Sequence, residues 1–360
     1  MISFSDPSYV PSYFSFQWHI TERCNWQCRH CYQEEKISSE LNLEQLLKIF
    51  DQLLNLLRKW RIPPWHVNFS LTGGEPFLRE DFFSLLKRVA EYSNLYRINI
   101  LTNGSLLTEE NIRRLREAKI TQVQLSLEGM EKNNDEIRGR GAFKKTMEAM
   151  KMLVNYNVPV QISFTIHKKN KKDLDSLIKI CEKLGAFKLK IRRFVPWGRG
   201  KAMEDFILQP QELNNCYQKI ENFSKEFLRK GKKIKLSIGC EAAIFNKEIF
   251  FNSGLFFNFC GVTGGRVLTV MPNGDVLSCR RLPIVFGNAL EDNLYDIYYS
   301  DKMRELRNLN NLHIFCKECP FFPKCFGGAK CVTYAHAGRL DVPDIQCPRA
   351  YKKLDDPNFK

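Results

Sequence analysis

The sequence TERCNWQCRHCY, residues 21–32, decides how the rest of this chain is interpreted. It places Cys24, Cys28 and Cys31 in the spacing C-x3-C-x2-C. Three thiolates on one short loop can hold three irons of a 4Fe-4S cube and leave the fourth iron open for a small molecule. A structural zinc site is the alternative, but a closed zinc site needs four ligands and usually arises from paired C-x2-C knuckles. Only His30 or a remote residue could supply the missing ligand here.

A second motif, LTGGEP at residues 71–76, follows further along the chain. Its glycines, Gly73 and Gly74, would let the backbone approach a ligand closely. The carboxylate of Glu75 could accept hydrogen bonds from an ammonium group. On its own, a glycine pair before Glu75 and Pro76 indicates only a turn, so the motif gains weight from the cysteine loop beside it.

With both motifs, the chain resembles the radical S-adenosylmethionine (radical SAM) enzymes. The resemblance implies that S-adenosylmethionine chelates the open iron and that a reduced cluster cleaves it to methionine and a 5′-deoxyadenosyl radical, which takes a hydrogen atom from the substrate. It also implies cofactor binding by residues 73–76 and, at matching positions, by Ser126 and Arg138. A guanidinium suits a carboxylate because it binds both oxygens. His30 stands where the family usually has an aromatic residue, and either it or Tyr32 is expected to stack on adenine.

Composition is that of an ordinary soluble protein. The chain has 360 residues, of which 44% are hydrophobic and 26% are charged, enough for one large domain and a smaller second one. It has no apolar stretch of about 18 residues, and its first 13 residues lack the pattern of a secretion signal. We therefore expect a cytoplasmic protein without a membrane partner. In such a protein, 13 cysteines favour metal binding over disulfides.

The formal net charge of +15 is compatible with a nucleic acid, an acidic peptide or an anionic cofactor as partner. The lysines are scattered, however, with modest runs at residues 167–172 and 229–233. Such runs are typical of solvated loop and helix ends. The pattern of basic and aromatic residues expected for single-strand binding is absent from the sequence, so a nucleic-acid partner is not expected.

Between residues 15 and 196, short apolar runs alternate with longer amphipathic ones, which predicts repeated βα units and a parallel sheet. The predicted strands are residues 16–20, 67–71, 97–101, 122–127, 160–166 and 188–194. The predicted helices are residues 43–59, 82–92, 109–118, 143–156 and 172–184. The fold class is α/β, and the family resemblance implies a partial (β/α)6 TIM-type barrel. Its active site should lie where the strands end and the loops begin.

After Gly200 the pattern changes to a helical stretch at residues 211–230 and then to a region rich in glycine, aromatic residues and cysteine. Residues 267–278 contain a predicted β-hairpin around a glycine-containing turn. This region resembles the SPASM domain, a small Cys-rich domain that binds one or two auxiliary 4Fe-4S clusters in enzymes that modify peptides and proteins.

By analogy with that domain, one cluster is assigned to Cys240, Cys260, Cys279 and Cys331, and an outer cluster to Cys316, Cys319, Cys325 and Cys347. Cys331 departs from the usual spacing and is expected to replace a ligand that the family has three residues after Cys325. Cys181 and Cys216 fall on predicted helices and are expected to be ordinary buried cysteines. A zinc ribbon remains the alternative for the C-terminal region taken alone.

These patterns predict five segments: residues 1–14, an extension; 15–200, the barrel; 201–239, a helical linker; 240–348, the SPASM domain; and 349–360, a tail. The leading hypothesis is a radical SAM/SPASM maturase that abstracts hydrogen from a peptide or protein side chain with a reductant such as ferredoxin or flavodoxin. One alternative is an enzyme that builds or modifies a haem-like, quinone or metal-pterin cofactor. Another is a zinc-binding protein that binds nucleic acid.

Overall fold

The computed structural model describes residues 3–33, 39–239, 254–257 and 259–351. Within these residues, eleven strands form one sheet in the order β11-β10-β9-β1-β2-β3-β4-β5-β6-β7-β8. The strands are β1 Phe14–His19, β2 Val67–Thr72, β3 Arg97–Thr102, β4 Gln122–Ser126, β5 Val160–Ile166, β6 Lys188–Arg193, β7 Lys235–Ile238, β8 Phe256–Phe257, β9 Val267–Val270, β10 Asp275–Cys279 and β11 Leu282–Asn288.

The sheet is parallel from β9 through β1 to β8, and only β10 and β11 run antiparallel to their neighbours. Alternate residues of each strand point to opposite faces. On β1, Phe14, Phe16 and Trp18 are completely buried in the main hydrophobic core, where they pack with helix residues such as Phe50. The helices therefore cover one face of the sheet, and the other face lines the inside of an open barrel.

The helices that cover the barrel strands carry apolar residues on one side, as sheet-packing helices do. Helix α1 begins with a capping box, in which the Asn42 side chain accepts a bond from the Gln45 backbone and the Gln45 side chain accepts one from Asn42. The α-helices are α1 Leu43–Trp60, α2 Phe82–Ala90, α3 Glu109–Glu117, α4 Glu131–Arg138, α5 Ala142–Asn155, α6 Leu174–Lys183, α7 Pro210–Arg229, α8 Leu294–Tyr299, α9 Asp301–Leu306, α10 Ile314–Lys317, α11 Phe322–Cys325 and α12 Lys330–Ala337.

The predicted fold class is confirmed: a curled, mostly parallel sheet flanked by helices is a partial barrel, and all six predicted strands are present with ends displaced by no more than two residues. One feature differs from the expectation. Residues 201–239 are not only a helical linker, since they end in β7, which joins the sheet beside β6. The hairpin is also continuous with the barrel, because β9 pairs with β1.

Of the helices in the described residues, none combines the length and the apolar character needed to cross a membrane.

Candidate active site and auxiliary cysteine sites

Cys24, Cys28 and Cys31 lie together on the loop that follows β1, at the carboxyl end of the parallel strands. Each sulfur lies close to an N–H group. The contacts are from Asn103 Nδ2 to Cys24 Sγ at 4.0 Å, from Arg138 Nη1 to Cys28 Sγ at 3.7 Å, and from the Gln33 backbone N to Cys31 Sγ at 3.5 Å. Three N–H donors aimed at three sulfurs are the arrangement that favours thiolates over thiols.

Burial acts in the opposite direction on two of these thiols, Cys24 and Cys28. It raises the pKa of Cys24 to about 11 and raises the pKa of Cys28. The negative charge of a neighbouring thiolate adds to the effect at both positions. A coordinating metal reverses this because it binds only the deprotonated sulfur. The donor set therefore fits an iron–sulfur cluster, which would supply the positive charge that these buried sulfurs need.

Gly73 and Gly74 explain how the cysteine loop is held against the end of β2. The backbone N–H of Gly74 donates to the Thr21 carbonyl at 2.8 Å, and that of Glu75 donates to the Arg23 carbonyl at 2.8 Å. A Cβ at position 73 would lie 2.3 Å from the Thr21 oxygen, and one at position 74 would lie 2.2 Å from the Arg23 oxygen. The close approach that the motif predicts is thus made by the cysteine loop itself.

The side chain of Glu75 is completely buried directly behind this contact. Its carboxylate accepts bonds from the Thr102 hydroxyl at 2.8 Å and from the backbone N–H groups of Asn103 and Phe77 at 2.8 and 3.3 Å. Burial raises the pKa of Glu75 to about 7, although these hydrogen bonds favour the charged form. The carboxylate thus ties the ends of β2 and β3 together. Pro76, which follows, is buried in the first turn of a short 3-10 helix.

Arg138 lies at the end of α4 in a buried network beneath the cysteine loop. Its Nη2 donates to Glu128 Oε1 at 2.6 Å, and His30 Nε2 lies 3.0 Å from the same oxygen. Burial alone would raise the pKa of Glu128, but the neighbouring His30 and Arg138 outweigh it and hold that pKa far below its usual range. Glu128 therefore stays ionised, orients Arg138 toward Cys28, and explains the unusual His30 of the motif.

Ser126 and Tyr32 occupy different parts of the rim. Ser126 ends β4 and lies beside Ser163 of β5, on the barrel's inner face. Tyr32 packs against a second hydrophobic cluster that contains Val195, Cys260 and Cys331. The tyrosine thus lies between the cysteine loop and the C-terminal cysteines.

Two further side chains, Glu40 and Arg199, hold the cysteine loop, and neither was predicted from the sequence. Glu40 accepts bonds from the Thr21 hydroxyl and from the Glu22 backbone at 2.5 and 2.9 Å. Arg199 donates through Nε to the Cys28 carbonyl at 3.2 Å. Gly198, with a φ of +57°, sits so close to the loop that a Cβ would lie 2.5 Å from the Tyr32 carbonyl group. The glycines of WGRG, residues 197–200, were a sequence signal for such a contact.

Cys260, Cys279 and Cys331 come together in the second hydrophobic cluster, with Cys260 and Cys331 buried and Cys279 packed against them. Arg280 follows Cys279 and donates to the Tyr32 carbonyl at 3.1 Å, which ties this inner auxiliary site to the cysteine loop. Cys240, the fourth residue assigned to this group, lies outside the described residues.

The outer group of cysteines lines one pocket. Its walls are formed mainly by Phe315, Phe321 and Phe322, and its cysteines are Cys316, Cys319, Cys325 and Cys347. Burial raises the pKa of Cys316 and of Cys325 to about 12, and neighbouring negative groups add to the effect. Four half-buried thiols that line one largely apolar pocket are a suitable ligand set for a fully coordinated cube.

The remaining described cysteines take no part in these sites. Cys181 on α6 and Cys216 on α7 are buried in the main hydrophobic core. Across the described part of the chain, no three His, Cys, Asp or Glu side chains are close enough together to hold a single metal ion. Zinc would need four ligands about 2 Å from one centre.

A partial parallel barrel with a three-thiol loop at its rim and two further thiol groups beyond it defines a class, the iron–sulfur enzymes that act on a bound small molecule. Residues 18–181 match the family model of the radical SAM superfamily, and residues 260–320 match that of SPASM, an iron–sulfur cluster-binding domain. The chain belongs to the radical SAM superfamily and carries a SPASM domain.

Among its relatives, the AdoMet-dependent heme synthase of Methanosarcina barkeri is 27% identical over 339 residues, which are 89% of this chain and 92% of the relative. The PqqA peptide cyclase of Granulibacter bethesdensis is 25% identical over 338 residues, which are 91% of this chain and 85% of the relative. The structure of Streptococcus suis SuiB bound to precursor peptide SuiA is similar in fold, with a TM-score of 0.72. It is 17% identical in sequence, and the match covers 94% of this chain and 76% of the SuiB chain.

The predictions of family, enzyme class and cofactors are thereby confirmed. The radical SAM domain binds S-adenosylmethionine together with a 4Fe-4S cluster, and the SPASM domain binds iron–sulfur clusters. The roles of individual residues remain predictions.

Proposed function

We propose that this enzyme is a radical SAM/SPASM maturase that takes a hydrogen atom from a peptide or protein side chain. The observation that carries the proposal is the cysteine loop, where three sulfurs lie at the barrel rim with an N–H donor on each. When bound there, a 4Fe-4S cluster with one open iron supplies the reductive cleavage of S-adenosylmethionine to a 5′-deoxyadenosyl radical.

The chain's own residues have separate tasks in this proposal. Cys24, Cys28 and Cys31 hold the cluster. Gly73 and Gly74 let the cysteine loop pack closely against the end of β2. They thereby set the position of the cofactor-binding site. The sequence assigns five further residues to the cofactor-binding site: Glu75, Pro76, Ser126, Arg138 and Tyr32. Of these, Glu75 and Arg138 act through neighbours, since their charged groups already bond to protein atoms.

The C-terminal cysteines supply two auxiliary sites. Cys260, Cys279 and Cys331 form the inner site with Cys240 as the fourth ligand, and the outer four form a complete set. The contact from Arg280 to the Tyr32 carbonyl supports electron transfer between the radical site and the inner site, because it shortens the bonded route between them. An auxiliary cluster in this position would accept the electron left after hydrogen abstraction.

A peptide substrate is supported by the relatives, one of which is named a peptide cyclase over nearly the whole length of this chain. A one-electron reductant such as ferredoxin or flavodoxin would start each turnover, and the cytoplasm is the compartment that suits exposed thiols and such carriers. Nucleic acid has no part in the proposal.

Modification of a cofactor is the second candidate. It is favoured by the heme synthase relative, which matches more of its own length than the peptide cyclase does. The two candidates share the radical chemistry and differ only in the substrate that enters the barrel.

The proposal is tested by iron, sulfide and zinc analysis of anaerobically purified protein. We expect about twelve irons per chain, falling to about eight in the variant Cys24→Ala/Cys28→Ala/Cys31→Ala, because each cube holds four. Reduction with dithionite in the presence of S-adenosylmethionine should give 5′-deoxyadenosine only with the wild-type loop. The control is Cys181→Ala, which removes a core thiol and should leave the iron content unchanged. Zinc without sulfide would exclude the radical mechanism.

A further inference from the structure

The inner face of the barrel carries two buried polar groups that no described residue satisfies. His19 ends β1, and Thr269 lies on β9, the strand that pairs with β1. His19 is 8% exposed, and Thr269 is completely buried. His19 Nε2 and Thr269 Oγ1 are shielded from solvent and have no hydrogen-bond partner among the described residues. Because buried polar groups are nearly always hydrogen-bonded, this pair indicates a site for a bound molecule.

The alternation of side chains along β1 and β9 directs both groups into the barrel. Trp18 and Ile20, on either side of His19, are buried in the main hydrophobic core, so His19 points to the opposite face of the sheet. The two neighbours of Thr269 on β9 lie in the same core. The register places Thr269 opposite Gln17, two residues before His19. The two unpartnered groups are therefore diagonal neighbours on the inner face.

Elsewhere on the inner face, polar side chains find partners within the protein. Gln161 Nε2 on β5 donates to Gln124 Oε1 on β4 at 2.6 Å. Asn99 Nδ2 on β3 donates to the Phe69 carbonyl at 3.4 Å. The barrel can thus satisfy inward-facing polar groups by itself, and among the described residues it does not do so at the β1–β9 pair.

His19 lies just beneath the cysteine loop. It stands two residues before Thr21, which is about 6.6 Å further along the chain direction. The carbonyl of Thr21 accepts the Gly74 N–H at 2.8 Å and so anchors the loop. Thr72, the register partner of His19 on β2, is also buried and directly precedes the glycine pair. A molecule that approaches the cysteine loop from inside the barrel therefore meets His19.

The neutral imidazole is the form that this position favours. Burial lowers the pKa of His19 well below its usual range, and the positive charge of Arg280 lowers it further. A neutral imidazole offers one N–H donor and one acceptor nitrogen, and the hydroxyl of Thr269 can donate and accept. The two side chains carry no net charge. They suit an uncharged group that also donates and accepts, as an amide does.

We propose that His19 contacts the substrate, with its Nε2 hydrogen-bonded to an amide group of the peptide that reacts beneath the cysteine loop and with Thr269 as the second contact. The inference rests on the proposed function and adds a recognition element on the inner face of β1. The ring of His19 makes no hydrogen bond to the cysteine loop within the described residues. Its replacement should therefore leave the cluster site intact.

The first test measures whether His19 Nε2 faces open space. Diethyl pyrocarbonate acylates neutral imidazole nitrogens, and peptide mass spectrometry locates the modified histidines. In anaerobic holoenzyme loaded with S-adenosylmethionine, His19 should be modified although its ring is buried. His167 is the buried control and should stay unmodified, because its ring packs between Phe194 and Phe206, whereas the exposed His66 should react. An unmodified His19 would contradict the proposal.

The second test measures recognition of the substrate. The probes are pools of short N-acetylated, C-amidated peptides, each with one amino acid fixed at the central position, and the readout is the peptide-dependent gain in 5′-deoxyadenosine. His19→Phe keeps a ring but should reduce this gain by about tenfold, since it leaves the substrate amide without its partner. His19→Gln restores a donor and an acceptor and should recover part of the gain. His66→Phe is the matched control and should leave it unchanged.

Controls separate recognition from folding and from the proposed function. Iron content and peptide-free release of 5′-deoxyadenosine should match the wild type in every variant. Loss of iron in both His19 variants would assign the residue to the cluster site and overturn the proposal. A gain in His19→Phe equal to that in His66→Phe would also overturn it. If no pool stimulates the wild type, the proposed peptide substrate is contradicted, and the acylation of His19 then decides by itself whether the residue faces the substrate space.

Discussion

His167 shows how strongly a single buried residue can couple this fold to pH. It follows β5, and its ring is shielded from solvent between Phe194 and Phe206. Nδ1 accepts a bond from the Lys169 backbone N–H at 3.3 Å, so the neutral form is the one that fits. Burial lowers the pKa of His167 to about 4. The folded protein therefore binds this proton less readily than the unfolded chain does.

The stability contributed by neutral His167 is present above about pH 6.5 and is lost as the pH falls toward 4, because only the unfolded chain takes up the proton in that window. We expect the free energy of unfolding to fall by about 1 kcal/mol from this residue between pH 7.5 and pH 5.5. In His167→Asn, whose amide oxygen can replace Nδ1 as acceptor, that part of the pH dependence should disappear. Urea unfolding at the two pH values measures it, and an unchanged slope would contradict the assignment.

Sequence reasoning found the residues of the site more readily than their partners. The cysteine spacing and the glycine pair are local patterns, so Cys24, Cys28, Cys31 and Gly74 could be singled out from the sequence alone. The pairing of Arg138 with Glu128 could not, since it depends on packing between α4 and the end of β4. Glu40 was missed for the same reason, because nothing in the residues around it indicates a role at the loop.

At the scale of the elements, the contact between the cysteine loop and the end of β2 is set by Gly74. A methyl group there would meet the carbonyl oxygens of Arg23 and Glu22 at 2.2 and 2.6 Å. Both are backbone atoms of the loop and cannot rotate away. We expect Gly74→Ala to displace the loop and to lower the iron content by about four per chain, the content of one cube.

Iron analysis and the yield of 5′-deoxyadenosine check this prediction. Gly239→Ala is the matched control, because a Cβ there would make only ordinary contacts of 3.5 Å or more. Full iron content in Gly74→Ala would mean that the loop adapts and that the glycine has another role.

The strands and helices of the barrel could be predicted because each buries one face against its neighbours. Apolar residues therefore recur in the sequence with the period of a strand or of a helix. Strand β7 was missed for a physical reason: it has four residues and follows a run of lysines, so too few apolar positions mark it. The pairing of β9 with β1 was missed because the pattern within a hairpin does not reveal which edge it joins.

On the scale of the whole molecule, a buried ion pair joins the barrel to the C-terminal cysteines. Arg193 at the end of β6 donates to both carboxylate oxygens of Asp344 at 3.0 and 2.8 Å, and to Gln346 at 3.0 Å. Asp344 also accepts the Ala329 N–H at 2.9 Å, close to the outer cysteine pocket. Burial would raise the pKa of Asp344, but Arg193 and these hydrogen bonds hold it below its usual value.

Asp344→Ala should lower the free energy of unfolding by about 3–5 kcal/mol, since it removes the carboxylate that offsets the charge of the buried Arg193 guanidinium. The double variant Arg193→Met/Asp344→Leu should be less destabilised than the single one, because it removes both charges. Chemical unfolding of the three proteins measures the effect. Equal losses in the single and double variants would show that the contacts of Asp344 with the backbone, and not the ion pair, dominate.

The pairing of β1 with β9 also has a consequence for how the protein is made. Phe14–His19 leaves the ribosome early, but its neighbour on one side is Val267–Val270, more than two hundred residues later in the chain. Contacts so distant in sequence form slowly, and the early strand waits with one edge unpaired. The loop that bears Cys24 is attached to this strand. A cluster delivered to the nascent chain would therefore bind a loop whose supporting sheet is still incomplete. We expect cluster insertion to follow the synthesis of β9.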